Sequence, residues 1–477
     1  MTLVRPRTLV APLAAAMMLS MTALQGAHAQ DSTASIHYKG ITLQPIGYAA
    51  MEFVWRQRNL TADMGASYNA IPFSGTTNGN MTETRFSGRQ SRIGMMASGN
   101  AGTTKVTGYW ESDFLSSGTT SNSNNSNSYT LRIRQFWAQA ALNNGWTISG
   151  GQFWSLMTPD KVGMNPRSEA VPLTIEAQYA AGFNWERQDG IRFVNKFSDE
   201  GSFGFGLEES QTTFSARNAP ATFVLGQAGG SQLNATTTYS TDYSPDIVAK
   251  LAFDPKGMGH WELKAVGSSF RDRIVDPTNV NGGSRNITNW GYGVGFGVYL
   301  PINADGRDVM DLGLSGMYGT GIGRYGTAQL PDATVDTDGS IKPIKASQLL
   351  LSLEAHPTKK LDVYSYIGAE YADRTAFTNA AGKGVGYGSE LNNNTGCQTE
   401  LAPTNQTTPN SGTCNADTRA IWQANLGFWY RFYKGAAGTV QWGMQYSYTS
   451  RNTWSGGGIQ PQAIENMLFS SFRYILP

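Results

Sequence analysis

The chain has 477 residues, and its 36 lysines and arginines nearly balance its 35 aspartates and glutamates. A nearly neutral chain has no bulk attraction for nucleic acid, so we expect no nucleic-acid partner. A water-soluble protein of this length would usually show helical periodicities or linkers between domains, and neither is evident. The 55 glycines, 21 tyrosines, 21 phenylalanines and 12 tryptophans suit β structure.

The first 29 residues have the pattern of a cleaved secretory signal peptide. Arg5 and Arg7 precede the apolar run LVAPLAAAMML, and Ala27-His28-Ala29 is a small-x-small cleavage site. The apolar run is shorter than the roughly 20 residues of a membrane-spanning helix. Residues 30–40 are then a short N-terminal segment before the first predicted strand.

Segments of alternating polarity fill the rest of the chain, and this period of two predicts β-strands. They predict one all-β domain, 41–476, an antiparallel up-and-down transmembrane barrel of sixteen strands. The predicted strands are 41–57, 84–98, 103–115, 129–142, 146–156, 185–198, 203–212, 239–254, 260–271, 287–301, 309–320, 344–356, 361–373, 418–433, 438–451 and 464–476.

Short and long connections alternate along the chain. Short ones such as GNAG (99–102) and NNG (143–145) have the chemistry of hairpin turns. Long ones include 116–128, 157–184 and 374–417. This alternation favours short periplasmic turns and long external loops over a soluble sandwich, although a core-facing set of aromatic side chains stays the alternative.

The segment YTLRIRQFWAQAAL (129–142) shows which face of a strand should contact lipid and which should line the lumen. An unbroken period of two places Arg132, Arg134 and Phe136 on one face, and Leu131, Ile133, Gln135, Trp137 and Gln139 on the other. A cation on the lipid face would cost about 2–4 kcal/mol at the midplane, so the arginine face should line the lumen. The two glutamines on the outer face would then indicate a protein neighbour.

The same argument predicts further inward-facing cations on other strands. In the predicted strand 185–198 it places Trp185 on the outer face. The predicted lumen residues are basic Arg92, Arg132, Arg134, Arg192 and Lys196, and acidic Glu111, Asp113 and Glu186. Excess basic groups in a pore favour anions, and the arginine fork suits carboxylates. We therefore expect a moderate anion preference. The alternative is that these arginines only pair with the three acids and brace the wall.

The long connection 157–184 is the candidate constriction, because it mixes charges with apolar residues that could anchor it inside the barrel. Its charged residues are Asp160, Lys161, Arg167, Glu169 and Glu176. A plain surface loop is the alternative.

Both cysteines, Cys397 and Cys414, lie in the long external loop 374–417. An exported protein reaches an oxidising compartment, so we expect them to form a disulfide.

At the C-terminus, Phe472, Tyr474 and Leu476 alternate on one face. This terminal strand resembles the signal by which outer-membrane barrels are recognised by their assembly machinery. No enzyme motif, cofactor motif or metal-ligand spacing is found, so we expect no enzyme, no cofactor and no metal.

Four segments carry a resemblance to the bacterial outer-membrane porins, and more specifically to the DcaP-like trimeric porins. They are GRQSRIGMMASG (88–99), VTGYWESDF (106–114), YTLRIRQFWAQAAL (129–142) and WTISGGQFWSLM (146–157). The resemblance implies a sixteen-stranded barrel, a homotrimer, a third loop folded into the lumen and small carboxylate-bearing solutes as cargo. Membrane lipid and lipopolysaccharide would surround such a barrel. A structural or adhesive outer-membrane barrel with an occluded lumen is the alternative.

Overall fold

The structure is a computed structural model that describes residues 35–115, 130–225, 243–276, 278, 283–304, 306–400 and 414–477. The predicted signal peptide and the loop 116–128 lie outside the described residues, as does the middle of the loop 374–417.

Sixteen strands, numbered β1 to β16 in chain order, form one antiparallel sheet in which each strand pairs with the next. Strand β16 pairs with β1, with Ile475 opposite Tyr48, so the sheet closes into a barrel. The predicted fold is confirmed. The strands are Ile41–Arg56, Glu83–Ser87 with Arg92–Ala101, Thr104–Asp113, Arg132–Ala141, Trp146–Trp154, Arg187–Lys196, Gly201–Glu208, Asp246–Phe253, His260–Ile274, Arg285–Ala304, Arg307–Thr320, Lys345–Thr358, Leu361–Ala372, Thr418–Gly435, Gly438–Thr453 and Gln462–Ile475.

The second strand, predicted as the unbroken segment 84–98, has two parts that both pair with β1. At the break, the Ser91 hydroxyl accepts a hydrogen bond from the Ala50 amide at 2.9 Å. A side chain thus satisfies the backbone donor that a continuous strand would have paired.

The loops contain short elements of their own. These are the strands Ile36–Tyr38, Phe223–Val224, Ala333–Val335, Ile341–Pro343, Thr375–Thr378 and Gly384–Tyr387, and the 3₁₀ helices Tyr68–Ala70, Asn78–Asn80 and Gly323–Tyr325. Among the described residues, no helix is long and apolar enough to cross a membrane.

The two faces of the barrel wall differ in polarity. Outward side chains are apolar and exposed, as at Leu263 (63 % exposed) and Leu426 (58 %). Their neighbours in sequence, Glu262, Lys264 and Asn425, are buried inside the barrel. Polar groups inside and apolar groups outside reverse the arrangement of a soluble protein, and this is the pattern of an outer-membrane barrel.

A β-bulge in β4 corrects one prediction. The register between β3 and β4 shifts at this point, since Glu111 pairs with Gln135 but the next residue, Ser112, pairs with Ile133. Arg134 is the extra residue, and it reverses the alternation of every later side chain in the strand. Phe136 is therefore exposed, whereas Trp137 is buried and stacks on Tyr109.

The bulge also removes the evidence for a protein neighbour at the two glutamines. Gln135 is buried and accepts a hydrogen bond from the Trp137 indole at 3.3 Å. Gln139 donates to the Ser149 hydroxyl at 3.1 Å. The prediction that both face outward was wrong, because a period of two cannot reveal an inserted residue.

Candidate solute pathway

The connection between β5 and β6, residues 155–186, lies inside the barrel. Near its start, the Lys264 ammonium donates to the Met157 carbonyl at 2.6 Å from strand β9. Further along, the Ile175 amide donates to the Gln445 side chain at 2.6 Å on strand β15. A segment that reaches β9 and β15 from β5 must cross the lumen. These two contacts favour the inward path over a plain surface loop.

The first half of this inner loop is held by a buried charge network on β8 and β9. Lys250 pairs with Asp160 of the loop at 2.7 Å and with Glu262 at 3.0 Å, and Glu262 pairs with Lys264 at 3.2 Å. Lys250 also donates to the Thr158 carbonyl at 2.6 Å. These side chains are almost fully buried, so water screens them little. We call Lys250, Glu262 and Lys264 the clamp.

Lys161 extends the attachment to the next strands of the wall. Its ammonium lies 2.7 Å from Glu354 on β12 and 3.0 Å from Asp311 on β11. The described residues Asp308, Asp311 and His356 are also close enough together to hold a metal ion. Asp311 already pairs with Lys161, so we propose no metal site there.

Farther along, the backbone of the inner loop touches the wall at a glycine. A Cβ atom on Gly368 of β13 would lie 1.9 Å from the carbonyl oxygen of Ala181. Only glycine leaves room for this approach. In addition, the Gly182 amide donates to Glu370 at 2.8 Å, which fixes the loop on β13.

The predicted lumen cations of β4 face inward, and they are paired. Arg132 forms a two-pronged pair with Asp113 at 2.9 and 2.8 Å. Arg134 bonds Glu111 and Asp113, both at 2.8 Å, and donates to the Tyr179 hydroxyl of the inner loop at 2.7 Å. These carboxylate contacts are the ones expected if the arginines brace the wall.

The other three predicted cations differ in how strongly the protein engages them. Arg192 is buried and donates to the backbone carbonyls of Trp154 and Met164, so it supports the inner loop. Arg92 lies 3.5 Å from Glu111, the longest of the arginine–acid pairs on this wall. Lys196 is exposed at the end of β6 that leads to a tight turn.

The predicted residues Trp185 and Glu186 lie just before β6. Trp185 packs against the core of the inner loop, with its ring centroid 6.4 Å from that of Tyr179. The prediction that Trp185 faces outward was wrong, since the regular strand begins only at Arg187. Glu186 accepts a hydrogen bond from Gln188 at 2.9 Å.

The remaining charged residues of the inner loop are also engaged. Arg167 lies over the Tyr109 ring at 5.1 Å, and its amide donates to Glu169 at 2.9 Å. The Glu176 carboxylate accepts from Ser447 at 2.9 Å and from Gln423 at 3.0 Å, while its other oxygen is buried without a described partner. Burial raises the pKa of Glu176 to about 7.

Inward acids are more numerous than the sequence reading named. Glu262, Glu354, Asp362 and Glu370 are all buried on the lumen side of β9, β12 and β13. The alternation of His260, Glu262 and Lys264 could have revealed the acid on β9, because β9 has a regular register with β8. The number of inward cations therefore says little about selectivity.

A cavity of about 300 Å³ lies between the inner loop and the opposite wall. Its charged lining residues are four arginines and two acids: Arg92, Arg134, Arg431, Arg473, Glu176 and Asp362. We call this the arginine cavity.

Two of the carboxylates that pair with these arginines do not line the cavity, whereas Asp362, the partner of Arg431, does. Glu52 bonds Arg473 at 2.7 Å, and Glu111 bonds Arg134, but neither acid is among the lining residues. The cavity surface is therefore more positive than the wall as a whole. Tyr48 helps to place the arginines, since the guanidinium carbons of Arg92 and Arg473 lie 5.3 and 4.8 Å from its ring centre.

Outside the lumen, the predicted disulfide joins Cys397 to Cys414. At the C-terminal end, Tyr474 and Leu476 are exposed on the outer surface, and Phe472 is half-buried opposite Met51 of β1.

No family model matches the sequence, and no curated protein does. Among solved structures, the chain is similar to the outer membrane channel DcaP of Acinetobacter baumannii, with a TM-score of 0.62 and 17 % identity over 93 % of this chain and all of that one. The anion-selective porin of Comamonas acidovorans and OmpF of Salmonella typhi each match at a TM-score of 0.47 and 11 % identity, over 91 % and 93 % of this chain and all of theirs.

The fold is that of an outer-membrane porin. The resemblance to DcaP predicted from four segments is confirmed at the level of the fold, and it extends over nearly the whole chain. The barrel is accordingly an integral β-barrel of the outer-membrane type, with a porin-like channel architecture.

Proposed function

We propose that the protein is a passive outer-membrane channel for small hydrophilic solutes, with a moderate preference for anions such as small carboxylates. The arginine cavity carries this proposal. It lies where the inner loop leaves a space against the wall of β2, β4, β14 and β16, which makes the inner loop the constriction of the pathway.

The chemistry of the cavity suits a partly dehydrated anion. Four guanidinium groups against two carboxyl groups give the lining a formal charge of about +2. A planar guanidinium donates two parallel hydrogen bonds to a carboxylate and replaces the water that the anion loses in a narrow passage. Cations meet a positive lining and lose water without compensation.

We expect the channel to act as a homotrimer, and part of its outer surface supports this. Phe86 and Phe136 on the outer face of β2 and β4 are 72 % and 60 % exposed, and Phe86 packs on Phe53 at 5.0 Å. Chemical crosslinking in detergent checks the number of subunits.

Recognition of the C-terminal strand by the assembly machinery stays a prediction. It is tested by the outer-membrane yield of a Phe472→Ser variant.

Liposome swelling tests the proposed transport. We expect liposomes that contain the protein to swell faster in gluconate than in glucose, because the two solutes match in size and differ in charge. Protein-free liposomes give the background. Equal swelling with both solutes would contradict the anion preference. No swelling with either would contradict the channel and favour a barrel with an occluded lumen.

A further inference from the structure

The hydroxyl of Tyr179, on the inner loop, fills a hydrogen-bonding position of the arginine cavity that a solute could use. The Arg134 guanidinium has three nitrogens. Its Nε and Nη1 bond Glu111 and Asp113, both at 2.8 Å, and its Nη2 donates to the Tyr179 hydroxyl at 2.7 Å. Arg134 and Tyr179 both line the cavity. Among the described residues, the nitrogen of Arg134 that no acid takes is thus covered by the loop. We call this contact the tyrosine cap.

Arg92 adds donors to the same cavity that the protein does not fill. Its Nη1 lies 3.5 Å from Glu111, and its Nε is buried with no partner among the described residues. The Tyr48 ring, with its centre 5.3 Å from the guanidinium carbon, helps to hold Arg92 in place. A buried donor without an acceptor costs free energy. The cavity is therefore short of acceptor oxygens.

The charges near Tyr179 favour a negative oxygen at the position of its hydroxyl. Burial raises the pKa of this side chain, but the positive charges of Arg134, Arg92 and Arg187 outweigh burial and lower the pKa to about 7. Arg187 lies 4.6 Å from the Trp154 ring centre, and the Trp154 ring packs edge-on against Tyr179 at 5.9 Å. A position that stabilises a phenolate also suits a carboxylate oxygen, because both are oxygen anions that accept hydrogen bonds.

Both partners of the tyrosine cap lie on irregular backbone. Tyr179 has a φ of 67°, a left-handed conformation that is unusual for a residue with a large side chain. Its amide donates to the Glu176 carbonyl at 3.0 Å, and its carbonyl accepts from the Tyr68 hydroxyl at 3.5 Å, so this conformation is fixed from two sides. Arg134 is the extra residue of the bulge in β4. Irregular backbone of this kind is concentrated at functional contacts.

We propose that the tyrosine cap is a stand-in for the solute: the Tyr179 hydroxyl occupies the place of a carboxylate oxygen on Arg134, and an entering carboxylate displaces it. This inference rests on the proposed passage of anions through the arginine cavity and names the contact that selects carboxylates among them.

A carboxylate has the chemistry to displace the hydroxyl. It carries a full charge and two oxygens, so one oxygen can accept from Nη2 of Arg134 while the other accepts from a second donor such as those of Arg92. A neutral sugar brings no charge, and chloride has no second acceptor atom. Each of them therefore gains less than a carboxylate from displacing the hydroxyl.

Isothermal titration calorimetry of the folded full-length barrel in detergent, with malonate as the probe, tests the displacement. In the variant Tyr179→Phe the ring stays and the hydroxyl is removed, so malonate meets no competitor on Arg134. We expect this variant to bind malonate at least about five-fold more tightly than wild type, since a hydrogen bond to a charged group no longer has to be broken. Titration with sodium chloride at the same ionic strength gives the background.

Tyr364→Phe is the matched control. Tyr364 packs in the same apolar core as Tyr179, but its hydroxyl donates to Gln445 at 3.0 Å and it is not among the cavity-lining residues. Its malonate affinity should stay within about two-fold of wild type. Heat-modifiable migration shows that both variants are folded.

The absorbance of ionised tyrosine gives a second readout on wild-type protein. One pH unit above its pKa of about 7, Tyr179 is largely ionised. Malonate should lower this absorbance, because a tyrosine displaced from its arginines takes up a proton. Tyr364→Phe should show the same decrease, and Tyr179→Phe should show none.

Equal malonate affinity in Tyr179→Phe and wild type would overturn the proposal, and so would weaker binding, which would make the hydroxyl a ligand of the solute. An unchanged absorbance of wild type on malonate addition would overturn it as well. Both measurements use protein in detergent without ion flow. A silent bilayer would therefore contradict the channel and leave these results unaffected.

Discussion

The two sides of the lumen use basic side chains for different purposes. On the side of β8, β9 and β12, Lys250 and Lys264 of the wall bond acids and backbone carbonyls of the inner loop, and Lys161 of the loop bonds Glu354 of the wall. On the side of β2, β4, β14 and β16, four arginines line a cavity, and two of their partner acids, Glu52 and Glu111, are not among the lining residues. Cations on the first side hold the loop, and those on the second side face the pathway.

This difference teaches that a cation count does not predict the selectivity of a pore. A lysine whose hydrogen bonds go to acids and backbone carbonyls of the fold is neutralised by those acids. It has no donor left for a passing solute. An arginine whose acid does not line the same cavity still presents positive charge and hydrogen-bond donors to that cavity. The contrast gives variants that should affect stability alone, or selectivity alone.

The largest effect is expected from Glu262→Leu, which leaves Lys250 and Lys264 buried without their shared acid. Removing one partner from a buried ion network costs about 3–5 kcal/mol. Denaturant unfolding in detergent measures the loss, and single-channel noise reports release of the inner loop. The double variant Glu262→Leu, Lys264→Met keeps the pair between Lys250 and Asp160 and should recover much of the stability. A single variant as stable as wild type would show that the clamp does not hold the loop.

Deletion of 160–176 is next, because it removes most of the inner loop from the lumen. We expect single-channel conductance to rise by at least about two-fold as the passage widens. Reversal potential should fall toward that of an unselective pore, since the loop face of the cavity is lost. Unchanged conductance would remove this loop from the constriction.

A smaller effect separates two inward arginines of equal charge. One unit charge at about 5 Å in water is worth about 0.8 kcal/mol, so Arg92→Gln should lower the anion-to-cation permeability ratio by roughly two- to five-fold. Arg192→Gln should change stability and leave the ratio alone, because Arg192 bonds Trp154 and Met164 carbonyls behind the loop. Equal shifts of the reversal potential in both variants would contradict the distinction between cations that face the pathway and cations that hold the loop.

The smallest effect is a pH dependence of selectivity. Burial raises the pKa of Glu176 to about 7, so this carboxyl is neutral below pH 7 and negative above it. Burial raises the pKa of Tyr179, but the positive charges of Arg134 and Arg92 outweigh this effect and lower the pKa to about 7. Both groups line the cavity, so anion preference should be higher at pH 5 than at pH 9.

The double variant Glu176→Gln, Tyr179→Phe is the control for this dependence and should show a nearly flat ratio between pH 5 and 9. Reversal potentials under one salt gradient at each pH give the comparison. A wild-type ratio that increases with pH would contradict the assignment of these groups to the pathway.

The sequence predicted the barrel because its wall has a simple period. Polar and apolar residues alternate on almost every strand, and loop length alternates between the two ends, so strand number and sidedness could be read directly. The reading failed in β4, where the extra residue Arg134 reverses the alternation. A bulge cannot be recognised from the polarity pattern when both apolar and polar residues precede and follow it in the sequence.

The site was predicted only in part, because its contacts join distant parts of the chain. Arg92 and Arg134 were found from their faces, and the loop 157–184 from its length and charge. The clamp depends on Asp160 meeting Lys250, 90 residues away, and the cavity on Arg473 meeting Tyr48 across the barrel seam. Such pairs follow from ring closure and from the path of the loop, which the local pattern does not contain.

The reversal potential of wild-type protein in a planar bilayer under a potassium chloride gradient tests the central claim most directly. If the arginine cavity is the narrow part of an open pathway, current flows and the potential has the sign of chloride selectivity. A potential with the sign of potassium selectivity, or a bilayer that stays silent with folded protein inserted, would contradict the account.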